Sequence, residues 1–243
     1  MADLTARQRQ ILKSIIEEYM STAEPVGSET LEKKYSLGVS PATLRNEMVK
    51  LTEFGFLKKP HTSAGRSPTP QGLKLYVNEL MKEQELSVAE EVAVKEKIWD
   101  YRNESEKLLR EATRNLAVRT KNLALAATNE GDIFSAGTCN ILEMPEFYDI
   151  DVTRNLLALL DQSDYFTKLI EKFLNDEEIQ VLLGDDLGNK VYANYGFVFG
   201  RFHAGDQEGV IGVLGPARLN YPYIVPTVRY FSDLIDEMTA NWK

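Results

Sequence analysis

Lys58, Lys59, His61 and Arg66 fall within nine residues that contain no acid. Such a cluster suits a polyanion, because Lys and Arg neutralise phosphates. A little upstream, Arg45 and Asn46 are the side-chain types that pair bidentately with base edges, Arg with guanine and Asn with adenine. Ala42 and Thr43 beside them are small enough to let a helix backbone approach a major groove. The chain-wide charge conceals this region. The 243 residues carry 28 Lys and Arg against 37 Asp and Glu, a net −9, yet residues 1–81 carry +2 and residues 82–243 carry −11. Glu47 and Glu53 work against phosphate contact on the same helix as Arg45.

Other chemistries lack their parts. A single Cys139 excludes a disulfide framework and a multi-Cys zinc site, and His61 and His203 are too few for a histidine-rich metal centre. Cys139 has no neighbouring His, and His203 has no Ser or Cys partner in sequence, so a nucleophilic site is not expected. Gly209, Gly212 and Gly215 do not follow the G-x-G-x-x-G spacing, and residues 184–190 lack the spacing and Ser/Thr of a phosphate loop. Asp149, Asp151, Asp185 and Asp186 read as helix starts and turns. No catalytic, cofactor-binding or metal-ligating residue is assigned, and the expectation is a protein that is not an enzyme. No run is apolar enough for a membrane span, and the N-terminus lacks the apolar core of a signal peptide, so a cytoplasmic location is expected.

The elements that must position the basic residues follow from local signals. Thr5 and Gln8 form a capping box ahead of Ile11, Leu12, Ile15, Ile16 and Tyr19, which predicts a helix over 6–20. Residues 21–27 break it, and Ser28 can cap a short helix through Leu31 to Tyr35. After a tight turn at 37–39, Ser40 as N-cap and Pro41 as first helical residue start a third helix, stopped by Gly55. Setting Leu44, Met48 and Leu51 inward turns Ala42, Asn46, Val49 and Glu53 outward, with Thr43, Arg45 and Lys50 on the flanks. A strand at 56–59, a loop at 60–67 and a return at 68–70 add a wing to this helix-turn-helix order.

Ser87 and Glu90 form another capping box, and no Pro or Gly follows until beyond Thr128, which predicts one long helix or two joined by a kink. Val88, Val92, Trp99, Leu109, Leu116 and Leu123 keep near-heptad spacing, interrupted by Arg102, Glu106, Thr113 and Thr120. Two readings stay open: a dimerising coiled coil, or a connector packed on the C-terminal domain. Beyond residue 132, strands are expected at 133–137, 179–184, 191–202 and 210–215, with a turn at 185–189 and a hairpin loop at 204–209. Helices are expected at 151–161, 164–174 and 222–241, completing an antiparallel α+β domain. Tyr192, Tyr195, Phe197 and Phe199 are either core or the lining of a small-molecule pocket.

Six segments carry a specific resemblance. LTARQRQIL (4–12), EPVGS (24–28), SPATLRNEM (40–48) and PHTSAGR (60–66), followed far downstream by GTCNILEMPEF (137–147) and GVIGVLGPARLNY (209–221), resemble the bacterial heat-inducible transcription repressors. The resemblance implies an α+β chain with a winged helix-turn-helix DNA-binding domain at 1–81, a helical linker at 82–131 and a reduced GAF-like regulatory domain at 132–243. It implies a homodimeric repressor of chaperone operons that binds double-stranded DNA at an inverted-repeat operator, is released on heat stress and is supported by a chaperonin. The DNA-reading positions it implies are Ser40, Pro41, Thr43, Arg45, Asn46 and Lys50 in the third helix and His61, Thr62, Ser63 and Arg66 in the wing. Lys58, Lys59 and Arg66 would serve phosphate or the minor groove. Members of that family usually carry an inserted dimerisation domain and additional strands ahead of the segment near residue 133. This chain lacks them, so its dimer contacts are expected elsewhere, in residues 88–128 and the last helix. Two alternatives remain: a winged-helix regulator that answers to a small metabolite, and a protein-interaction module that no longer binds DNA.

Overall fold

Thr5 closes its capping box as the spacing predicts: its hydroxyl accepts from the Gln8 N–H at 3.2 Å, and Gln8 Oε1 accepts from the Thr5 N–H at 3.0 Å. The first helix, α1 (Ala6–Thr22), starts there and buries Ile11, Leu12, Ile15 and Ile16. In this computed structural model the described residues are 4–61, 64–173, 178–188, 192, 194–205 and 207–240. They form two units, Met1–Lys82 and Glu83–Lys243.

In the first unit, α2 (Ser28–Lys34) has Gly27 at its N-cap, so the expected cap Ser28 is instead its first residue. Glu18, buried on α1, accepts from Lys34 Nζ at 2.5 Å and from the Tyr35 hydroxyl at 3.3 Å, which ties α2 to α1. Burial and the Glu18 carboxylate together push the Tyr35 hydroxyl up to about 12. Ser40 caps α3 (Pro41–Glu53), whose Leu44, Met48 and Leu51 are buried where α3 packs on α1 and α2. A two-stranded antiparallel sheet follows, β1 (Leu57–Lys58) with β2 (Ser67–Pro68), then α4 (Pro70–Leu75), which runs into a π-helical turn at Tyr76–Leu80.

The second unit is built on a five-stranded antiparallel sheet in the order β4-β3-β7-β6-β5. Its strands are β3 (Leu123–Thr128), β4 (Ile133–Ala136), β5 (Ile179–Leu183), β6 (Tyr195–Ala204) and β7 (Gln207–Pro216). α6 (Ser105–Thr120) and α9 (Tyr221–Thr239) pack on the sheet and on each other, with α5 (Val88–Trp99) against both. α7 (Ile150–Leu160) and α8 (Ser163–Phe173) join a core with Leu123 and Leu125 of β3 and Phe197 and Phe199 of β6. Gly200 permits close approach of α9, since a Cβ there would lie 2.6 Å from Ser232 Oγ. Among the described residues no helix is long and apolar enough to cross a membrane.

One expectation needs correction. Residues 82–131 are helical only as far as Thr120: α5 ends at Trp99, α6 ends where Lys121 turns left-handed at φ 52°, and Leu123–Thr128 is a strand. LALAAT has the composition of a helix, but all six residues are buried between β4 and β7. A strand covered on both faces reads as a continuous apolar run with no alternation to betray it. The proposed near-heptad seam is divided by the same event. Val88, Val92 and Trp99 are exposed on α5, whereas Leu109, Leu116 and Leu123 belong to the interior. Of the two readings of the four aromatic rings, the core reading holds: Tyr192, Tyr195, Phe197 and Phe199 are all buried in the core. Phe197 and Phe199 lie 4.9 Å apart and Tyr192 and Tyr195 5.6 Å apart, and the Tyr195 hydroxyl donates to the Val152 carbonyl at 2.6 Å. Residues 174, 189, 191, 193, 206 and 241, which fall within expected elements, lie outside the described residues.

Candidate nucleic-acid interface

The outward face of α3 is what three inward anchors leave over. Ala42, Arg45, Asn46, Val49, Lys50 and Glu53 are exposed, Pro41 and Thr43 half-buried. The hydroxyl of Ser40 accepts from the Thr43 N–H at 3.3 Å and lies 3.0 Å from Thr43 Oγ1, so these two expected DNA contacts also hold the first turn of the helix. Glu47, which the sequence sets against phosphate contact, is drawn aside: its carboxylate accepts from Gln8 Nε2 at 2.9 Å and from Lys50 Nζ at 3.2 Å. The Gln8 hydrogen bond is the main influence holding the Glu47 carboxyl below the usual carboxylate range.

Lys58, Lys59 and His61 are exposed where β1 runs into the loop, and Thr62 and Ser63 lie outside the described residues. The loop is fastened at its return. Arg66 and Val26 exchange two backbone hydrogen bonds of 2.8 Å, and a Cβ on Gly65 would come within 2.3 Å of the Val26 carbonyl oxygen, so only glycine fits there. Arg66 itself is half-buried, and its Nε donates to Thr52 Oγ1 at 3.0 Å. Thr52 in turn donates to the Met48 carbonyl at 2.8 Å. Residue type and spacing set Arg66 among the phosphate contacts, but the fold uses it to bind the wing to the last turn of α3. Val26 and Thr52, and the contact of Gln8 with Glu47, position the site in ways that sequence reasoning missed. Their partners lie across the fold, and no local pattern points to them.

Arg45, Lys59 and Arg66 line one open cleft of about 490 Å³, with Met48 and Val49 of α3, the start of α2, Ala64 and Gly65. Three cations against the one acid Glu29 leave the cleft lining with an excess of positive charge, which favours a phosphate backbone. Among the described residues no group of three His, Cys, Asp or Glu side chains is placed to hold a metal ion.

The family model described as HrcA protein C terminal domain matches residues 61–225. The chain belongs to the HrcA family. It is 28% identical over 336 positions to the heat-inducible transcription repressor HrcA of Carboxydothermus hydrogenoformans, covering 97% of this chain and 98% of that protein. To the HrcA of Roseiflexus sp. (strain RS-1) it is 26% identical over 342 positions, covering 98% and 95%. Both alignments run over more positions than the 243 residues of this chain, so these HrcA relatives carry residues with no counterpart here. A crystal structure described as a hypothetical protein shares the fold, with a TM-score of 0.73 at 19% identity over 98% of each chain. The HrcA family match begins at His61, so the first three helices rest on the near full-length relatives.

Proposed function

We propose that the chain is a sequence-specific DNA-binding transcription repressor, with residues 1–81 acting as a winged helix-turn-helix and the α+β unit as its GAF-like regulatory part. The observation that carries this reading is the exposure of Arg45 and Asn46 on α3 in the unit that also exposes Lys58, Lys59 and His61. The name of these relatives, heat-inducible transcription repressor, supports the same role. In this reading α3 enters the major groove, with Ala42 and Val49 permitting close approach. Asn46 pairs with adenine and Arg45 with guanine, each worth about 1–3 kcal/mol of discrimination. Lys50, Lys58, Lys59 and His61 meet the backbone and position the protein without reading sequence.

The finer proposal has two copies on an inverted-repeat operator of a chaperone operon, released when warming or loss of chaperonin support depletes the DNA-competent population. It rests on the family resemblance and on the word heat-inducible in the relatives' name. The deciding experiment is a gel-shift titration of the full chain on the promoter of its own chaperonin operon, with scrambled competitor and two salt concentrations. Specific, salt-sensitive binding is expected. Binding no better than to scrambled DNA sinks the reading, and an affinity constant over a reversible temperature ramp, with and without chaperonin, sinks the heat-release step.

A further inference from the structure

Val49 stands in an unusual place for its type. Leu44, Met48 and Leu51 of α3 serve the interior, while Val49 stays 40% exposed. At about 100° per residue it falls between Arg45 and Asn46 on the outward arc, about 40° from the first and about 60° from the second. The fold itself has no use for a valine there. A β-branched side chain is a poorer helix former than Ala, Lys or Glu, and at an exposed position it gains no burial in return. Single exposed apolar residues are ordinary on a soluble protein, so exposure alone decides nothing. What sets Val49 apart is its surroundings: with Met48 and Ala64 it lines the cleft of about 490 Å³ whose lining also holds Arg45, Lys59 and Arg66.

The chemistry that suits such a surface is narrow. A ligand must carry negative charge for the cations and, close beside it, an apolar group for Val49, which has neither donor nor acceptor. In the major groove of duplex DNA only thymine presents a methyl, at C5, among edges that otherwise offer donors and acceptors. Pressing a valine against a polar edge strips water from that edge without replacing its hydrogen bonds, so the other bases are penalised as thymine is favoured. A helical valine also keeps one strongly preferred rotamer, which fixes where its methyls stand. Val49 follows Asn46 by three residues and Arg45 by four. The rise along α3 is about 4.5 Å and about 6 Å, roughly one to two base steps of about 3.4 Å. It therefore addresses a base pair beside those the two polar residues would read.

We propose that Val49 is a specificity-determining residue that reads a thymine through its C5 methyl. This role rests on the proposed repressor reading, in which α3 enters the major groove. It adds a contact of different chemistry to that reading: Arg45 and Asn46 select by hydrogen bonds, Val49 by apolar contact alone. The DNA site therefore contains a thymine that is recognised by its methyl and not by its O4 oxygen.

The test compares thymidine with deoxyuridine, which pair alike with adenine and differ by that methyl alone. The full chain is titrated by fluorescence anisotropy on the duplex from the promoter of its own chaperonin operon, with thymidines replaced by deoxyuridine one at a time and a scrambled duplex alongside. Wild type is expected to lose about 3–5-fold in affinity at one thymine, or at its symmetry-related pair, which is what one buried methyl is worth. Val49→Ala changes an exposed position and is expected to keep the wild-type melting curve. It should bind the thymidine duplex with at least that same loss and be indifferent to deoxyuridine at the one position wild type senses, while binding to scrambled DNA is unchanged. Specific binding by wild type that ignores every deoxyuridine overturns the proposal and leaves the repressor reading standing. So does a Val49→Ala protein as sensitive as wild type at the position found. A wild type that binds the promoter no better than scrambled DNA removes the repressor reading, and the role of Val49 falls with it.

Discussion

α3 and β6 both carry side chains able to recognise a ligand, and the fold disposes of them in opposite ways. α3 gives the interior Leu44, Met48 and Leu51 and leaves Arg45, Asn46 and Lys50 exposed to solvent. β6 gives the interior Tyr195, Phe197 and Phe199, each at 1% exposure or less. A ring that the core consumes is not available to a small molecule, whereas a polar group that the core does not need can serve a partner. Net charge follows the same division, +2 in residues 1–81 and −11 beyond. Composition alone therefore misleads in both directions: the acidic chain holds a basic surface, and the aromatic strand is structural.

Phe197→Ala is the most direct way to break this comparison. The ring lies between Phe166 at 6.4 Å and Phe199 at 4.9 Å, and its removal is expected to cost about 3–5 kcal/mol in denaturant unfolding. A loss below about 1 kcal/mol would mean that the strand tolerates a vacancy, and the pocket reading of β6 would return. Arg45→Ala and Asn46→Ala probe the other side. Each is expected to leave stability within about 0.5 kcal/mol of wild type, because both residues are exposed. Each should weaken specific binding by about 1–3 kcal/mol while binding to scrambled DNA barely changes. Equal losses on both DNAs would show that α3 does not read bases.

The difference between these regions also explains what could be read from the sequence. The first unit is written in short-range signals: the Thr5–Gln8 box, Ser40 before Pro41 and Gly55 at φ 82° each fix a boundary within a few residues. Most strands of the second unit were legible by composition, but β3 was not, because its Ala-rich run becomes a strand only through pairing with β4 and β7. At the candidate interface, Asn46 could be placed on the outward face and Arg45 on its flank from the wheel alone. Arg66 could not be assigned, since Thr52 lies fourteen residues away and meets it only after the wing has folded back. Local patterns find side chains that point away from the fold; they do not find those recruited by another element.

That limit yields a finer test of the wing. Replacing Lys58 or Lys59 by Gln is expected to weaken specific and non-specific binding alike and to reduce the magnitude of the log-log salt slope by about 1 for each phosphate no longer neutralised. Arg66→Gln should behave differently if its guanidinium holds the wing to α3. Thr52→Val removes the acceptor and should weaken specific binding to the same extent as Arg66→Gln, with the salt slope unchanged in both. A slope that falls in Arg66→Gln but not in Thr52→Val would return Arg66 to the phosphate contacts.

The smallest effect concerns the acid that sits on α3 itself. Gln8 first, and Lys50 after it, hold the Glu47 carboxyl below its ordinary range. A carboxylate depressed in the folded state adds stability above its unfolded pKa and loses it as pH falls through the folded one. Glu47→Gln is therefore expected to destabilise the protein by at most about 1 kcal/mol near neutral pH, with the difference from wild type shrinking as the pH falls below the carboxylate range. Thermal melts of the two proteins across that range measure it. The same variant releases Lys50 from its 3.2 Å ion pair, so specific DNA binding should hold or strengthen. If Glu47→Gln instead lost specific affinity with no change in stability, Glu47 would be reading a base, such as a cytosine amino group, and the line between residues the fold keeps and residues it leaves for a partner would have to be redrawn through α3.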